Sequence, residues 1–140
     1  MAAFAELPAF PDVAPAFEAL RKAGVRIFLL TNGGADSTAK LLAKAKLDGL
    51  VERIVSIDEV KHWKPAREVY LHAAEVAKAK PGHLALVAAH DWDVHGASRA
   101  GLVTGFVARK KGYHPLLDKP DVNGPTLKEV ADGLLALPKE

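Results

Sequence analysis

The apolar run Leu84-Ala85-Leu86-Val87-Ala88-Ala89 stops abruptly at His90-Asp91-Trp92-Asp93-Val94-His95-Gly96. Carboxylates that abut a buried strand are poor packing residues, so this loop is where chemistry is expected. Asp91-Trp92-Asp93 has the spacing of a phosphoryl-transfer pair, one acid as nucleophile and the other as acid/base. His90, Asp91, Asp93 and His95 could alternatively hold a metal, but alternating ligands on a turn need a particular geometry, and no transition metal is expected. Other candidates lie earlier in the chain. Thr31-Asn32-Gly33-Gly34 is either an anion cradle of backbone N–H groups or an ordinary turn. Lys64, between Trp63 and Pro65, offers one ammonium to a site mouth or to water, and Tyr70 either points a hydroxyl there or anchors its helix. His62, His72, His83 and His114 are scattered and read as solvated.

Elements able to position these groups follow from periodicity. Helices are predicted over 15–23, ended by Gly24, over 37–45 with Leu41 and Leu42 inward, over 68–78, over 97–100, and over 126–137 with a Thr126/Glu129 capping box. Strands are predicted over 25–30, 51–57, 84–89 and 105–108, the first a continuous apolar run of the kind buried on both faces. Strands alternating with helices specify right-handed parallel crossovers and a three-layer α/β fold, with ligands at the carboxyl ends of the strands. Residues 1–14, rich in proline, read as a surface connector, and residues 15–140 as one core domain.

Composition narrows the function classes. The 19 basic and 17 acidic residues nearly balance and form no basic stripe, so a nucleic-acid partner is not expected. The chain has no cysteine, which excludes disulfides and thiolate metal sites and permits a reducing compartment. With no signal-peptide layout and no apolar run near the ~20 residues of a membrane span, a cytoplasmic protein without a membrane partner is expected.

Taken in order, Leu29-Leu30-Thr31-Asn32-Gly33, then Val60-Lys61-His62-Trp63-Lys64-Pro65 with Tyr70, then the segment from Val87 to Ala97 with Gly101-Leu102, the sequence resembles the haloacid dehalogenase superfamily. Within it the pattern is most similar to the type II 2-haloacid dehalogenases. The resemblance implies a Rossmann-like core and hydrolysis of a 2-haloacid to a 2-hydroxyacid through an aspartyl ester, without a cofactor. By position it makes Lys64 and Asp93 the catalytic pair, the lysine stabilising charge around the nucleophile and the acid pairing with the lysine. Thr31, Asn32, Tyr70 and His90 become substrate-binding residues. Thr31 stands where serine is usual, His90 where asparagine is, and Ala88 where serine is. Asp91 is then left to solvent.

The resemblance also exposes a gap. Family members open with a central strand ending in the nucleophilic aspartate, followed by a cap domain, and this sequence matches only what comes after both. None of Asp12, Asp36, Asp58, Asp91 and Asp93 fits the nucleophile's position, so the chain alone is expected to be inactive. Strands 25–30 and 84–89 are expected to pair directly across the vacant place. The partner expected for a longer form is a small carboxylate-bearing or phosphorylated substrate, with homodimerisation left open. The alternatives are a non-catalytic anion-binding module acting through a partner, and a fragment from the phosphatase branch of the superfamily.

Overall fold

In the computed structural model the described residues are 2–5, 13–31, 35–44, 46–56, 61–62, 64, 66–108 and 113–137. The elements in chain order are β1 (Ala2–Ala5), α1 (Val13–Lys22), β2 (Arg26–Thr31), α2 (Ala35–Lys44), β3 (Arg53–Ser56), α3 (Arg67–Ala77), β4 (Leu84–Ala88), α4 (Asp91–Arg99), β5 (Val103–Val107), β6 (Val122–Gly124) and α5 (Leu127–Leu135). The strands form one parallel sheet in the order β3-β2-β1-β4-β5-β6. Connections leave β1 and β4 in opposite directions, so the crevice between them is the switch point of a doubly wound sheet.

Apolar alternation builds the layers. Along β2, Ile27 and Leu29 face α1 and α5, while Phe28 and Leu30 face α3 and α4. Every residue of β4 is buried, as a central strand covered on both faces requires. Val13, Ala16, Phe17 and Leu20 of α1 meet Leu127, Val130, Ala131 and Leu134 of α5 on one side. Val69, Tyr70, Ala73 and Ala77 of α3 meet Val94 and Ala97 of α4 on the other. The approach of α5 to the sheet needs glycine at two points. A Cβ on Gly105 would lie 2.6 Å from Val130 Cγ1, and one on Gly133 would lie 2.5 Å from Val122 Cγ1.

Several expectations are corrected. The strands β2 and β4 do not pair with each other. Ala2–Ala5 lies between them, Ala2 opposite Arg26 and Leu84, and Ala5 opposite Leu29 and Val87. The start of the chain is therefore a central strand rather than part of a surface connector, and the sheet does not lack its middle position. The physical reason is that a gap between two buried strands leaves two rows of unpaired backbone groups, and any extended segment in reach lowers that cost. The second correction is within the loop expected over 90–96, where Asp91–Gly96 is helix. Helix α4 starts at Asp91, with His90 extended at its N-cap and Asp91 and Asp93 in its first turn, where the helix dipole favours carboxylates. Leu41 is 56% exposed while Leu42 is buried, since adjacent helix positions lie about 100° apart and only one faces the sheet. The short strand β6 carries no apolar run long enough to be noticed in sequence.

Candidate active site

Helix α4 aims its first-turn side chains in different directions, and this decides the roles within the cluster. Asp93, fully buried, points inward. Its Oδ2 accepts from Lys64 Nζ at 2.8 Å, and neither side chain has any exposed surface. Its Oδ1 accepts from the Tyr70 hydroxyl at 2.5 Å, which also lies 3.2 Å from the Asp93 carbonyl. Lys64 Nζ donates in addition to the carbonyl of Leu30, at 3.4 Å. Four chain segments thus converge: the end of β2, the turn carrying Lys64 after β3, the first turn of α3 and the first turn of α4.

Such a pair is costly to bury and retains its charges only if the remaining hydrogen-bonding capacity is met. Here it is met by a phenol and a backbone carbonyl, and among the described residues no buried side-chain polar atom lacks a partner. The indole of Trp92 lies over Lys64, its centroid 5.9 Å from Nζ, and the imidazole of His90 stacks on that indole at 5.3 Å with an interplanar angle of 29°. Trp92 is 38% exposed, so this stack separates the buried ammonium from solvent on that side.

Of the residues singled out in the sequence, Lys64, Tyr70 and Asp93 come together. Thr31 closes β2 one residue beyond Leu30, at the same carboxyl edge. Asn32, Gly33, Gly34, Trp63 and Pro65 lie outside the described residues. His90 is exposed at the site's outer rim, stacked on Trp92. The four candidate metal ligands part company. Asp91 accepts from the His114 amide at 3.2 Å, and His95 Nδ1 accepts from the Asp118 amide at 3.0 Å. Asp91 thus holds the His114 loop through a solvent-exposed hydrogen bond, and Tyr113 adds to the tie by donating to the Asp118 carbonyl. Burial raises the Tyr113 hydroxyl's pKa above the ordinary tyrosine range, with help from the nearby charges of Asp91 and Asp118.

Sequence reading missed two contributors. Trp92 is visible only once α4 is known to begin at Asp91, which turns neighbouring side chains to different sides of the first turn. The Leu30 carbonyl has no side-chain signal at all.

The chain is thus a parallel, doubly wound α/β protein with a buried lysine–aspartate pair at the switch point of its sheet. The family model for haloacid dehalogenase-like hydrolases matches residues 1–101, and the chain belongs to that family. It is 32% identical over 110 residues to (S)-2-haloacid dehalogenase 4A of Burkholderia cepacia, covering 79% of this chain and 48% of that protein. It is 29% identical over 143 residues to a glyceraldehyde 3-phosphate phosphatase of Methanopyrus kandleri, covering 98% of this chain and 61% of that one. A crystal structure of an L-2-haloacid dehalogenase superposes with a TM-score of 0.86 at 25% identity, covering 91% of this chain and 57% of the other. The chain spans about half the length of the (S)-2-haloacid dehalogenases it matches.

Proposed function

We propose that this chain is the lysine–aspartate half of a 2-haloacid dehalogenase site, and that the reaction needs a nucleophilic carboxylate beyond those its described residues bring there. The observation that carries this reading is the fully buried Lys64–Asp93 pair, closed by Tyr70, at the carboxyl edge of the sheet. In the complete reaction a carboxylate attacks C2 of the substrate, a C–O bond forms as the carbon–halogen bond breaks, and halide leaves. Water then cleaves the ester, returning the carboxylate and releasing a 2-hydroxyacid. Lys64 holds positive charge next to the attacking carboxylate and to the anion formed on ester cleavage. Asp93 and Tyr70 hold that ammonium in place. Thr31 and Asn32 bind the substrate's carboxylate, and His90 with Trp92 lines its entrance. Asp93 cannot itself attack, since one oxygen is taken by Lys64 and the other by Tyr70.

The isolated chain should therefore bind small carboxylates without turning them over. Titration with 2-hydroxypropionate, followed by amide shifts at Thr31, should saturate, weaken in Thr31→Val, and be accompanied by no halide release from 2-chloropropionate. Absence of saturable binding, or halide release by this chain alone, contradicts the proposal. The match to a phosphatase supports a second reading in which the same residues hold a phosphoryl group. Inorganic phosphate competing for the site more strongly than 2-hydroxypropionate would favour it.

A further inference from the structure

A cavity of about 360 Å³ lies between the carboxyl ends of β5 and β6 and the segment from Tyr113 to Pro120. Its volume falls within the roughly 300–1,000 Å³ of small-molecule sites. None of Lys64, Tyr70 and Asp93 lines it, so it is separate from the site described above.

The wall formed by this segment stands without an occupant. The His114 amide donates to Asp91 and the Asp118 amide to His95, both on α4. The Tyr113 hydroxyl donates to the Asp118 carbonyl, and Asp121 is tied to Thr104 of β5 through its amide and its carboxylate. A wall held in this way leaves a ligand little ordering to do. Pro115 and Pro120 close the cavity opposite Phe106 and Ala108, and Tyr113 packs edge-on against Phe106 with ring centroids 5.1 Å apart. These rings offer flat apolar faces to a flat apolar body.

The polar part of the lining has one sign. Lys119, His114 and Asn123 can donate, and no acid lines the cavity. The acids flanking Lys119 are engaged elsewhere: Asp118 Oδ1 lies 4.0 Å from His95 Nδ1, and the Asp121 carboxylate accepts from the Thr104 amide at 2.9 Å. His114 Nδ1 accepts from the Leu116 amide at 3.1 Å, which leaves the ring proton on Nε2 as a donor. Among the described residues neither the Lys119 ammonium nor the Asn123 side-chain amide has a partner.

We infer that this cavity is a second ligand site and takes an aromatic carboxylate. The ring of the ligand lies among Phe106, Pro115 and Pro120, and its carboxylate meets Lys119 in a charge-assisted hydrogen bond. The inference does not depend on the chemistry assigned to Lys64 and Asp93.

Titration of the chain with 2-naphthoate, read by amide shifts, should saturate with the largest shifts at Phe106, Ala108 and Asn123. Saturating 2-hydroxypropionate should leave that affinity unchanged. Lys119→Gln, at an exposed position, should weaken 2-naphthoate about tenfold, as loss of a charge-assisted hydrogen bond requires. The uncharged 2-naphthalenemethanol should bind the parent and Lys119→Gln alike. Acetate, with the charge but not the ring, should bind the cavity at least about tenfold more weakly than 2-naphthoate. No saturable binding, competition by 2-hydroxypropionate, or shifts centred on Thr31 and Lys64 overturn the second site. Equal affinity of 2-naphthoate for the parent and Lys119→Gln overturns the pairing with Lys119, and acetate binding as tightly as 2-naphthoate overturns the aromatic preference.

Discussion

Replacing Lys64 by methionine keeps most of the side chain's volume and removes its charge, which isolates the electrostatics of the site. Lys64 and Asp93 have no exposed side-chain surface and stand 2.8 Å apart. At an effective dielectric constant of about 20 the attraction across that distance is about 6 kcal/mol. Desolvating two ions costs several kcal/mol each, so the intact pair is worth little in net stability. A broken pair is a different matter, because it strands one buried charge. Lys64→Met should lower stability by about 3–5 kcal/mol, and Asp93→Leu, which leaves the ammonium with the Leu30 carbonyl, by a similar amount. The double variant should recover most of that loss and equal or exceed the parent. Against a typical total of about 5–15 kcal/mol, either single variant should be visibly near unfolding at room temperature. Urea unfolding followed by circular dichroism, with the slope compared between variants, reads all four corners of the cycle. Single-variant losses below about 1 kcal/mol, or a double variant whose loss is the sum of the two, would refute the reasoning that the pair is kept for chemistry at no gain in stability.

Other consequences can be measured on the same material. Gly105→Ala should cost about 1–3 kcal/mol in a thermal melt, because its new methyl meets Val130 Cγ1 at 2.6 Å, and adding Val130→Ala should relieve the clash while opening a cavity of its own. Thr126→Ala should cost about 1 kcal/mol, since the Thr126 side chain accepts from the Glu129 amide at the start of α5, and helicity by circular dichroism should fall with it. The raised pKa of Tyr113 means that the unfolded chain loses this proton first as pH rises. Stability should therefore be intact below the ordinary tyrosine value near 10 and decline above it, and Tyr113→Phe should flatten that decline in urea titrations.

Much of this architecture is legible in the sequence because it rests on strong local signals. The continuous apolar runs ending at Leu30 and Ala88 announce buried parallel strands, and Thr126 with Glu129 announces the start of α5. Lys64, Tyr70 and Asp93 could be grouped only through the resemblance, since residues 29 positions apart from lysine to aspartate meet by topology rather than spacing. The start of α4 was hidden because an N-cap and a polar loop look alike when aspartate and histidine alternate, and the dipole preference that favours helix has no periodicity. The central strand was hidden for the opposite reason. Nothing in Ala-Ala-Phe-Ala demands a strand; the demand comes from the two unpaired faces of β2 and β4, which no local reading of residues 2–5 contains.

Binding of 2-hydroxypropionate, measured together with halide release from 2-chloropropionate on this chain and on the Lys64→Met/Asp93→Leu double variant, tests the central claim most directly. The account predicts saturable binding without halide release by the parent chain, and binding at least about tenfold weaker in the double variant, whose fold is retained. Halide release by the unaided chain, or equal binding by a folded double variant, would contradict it.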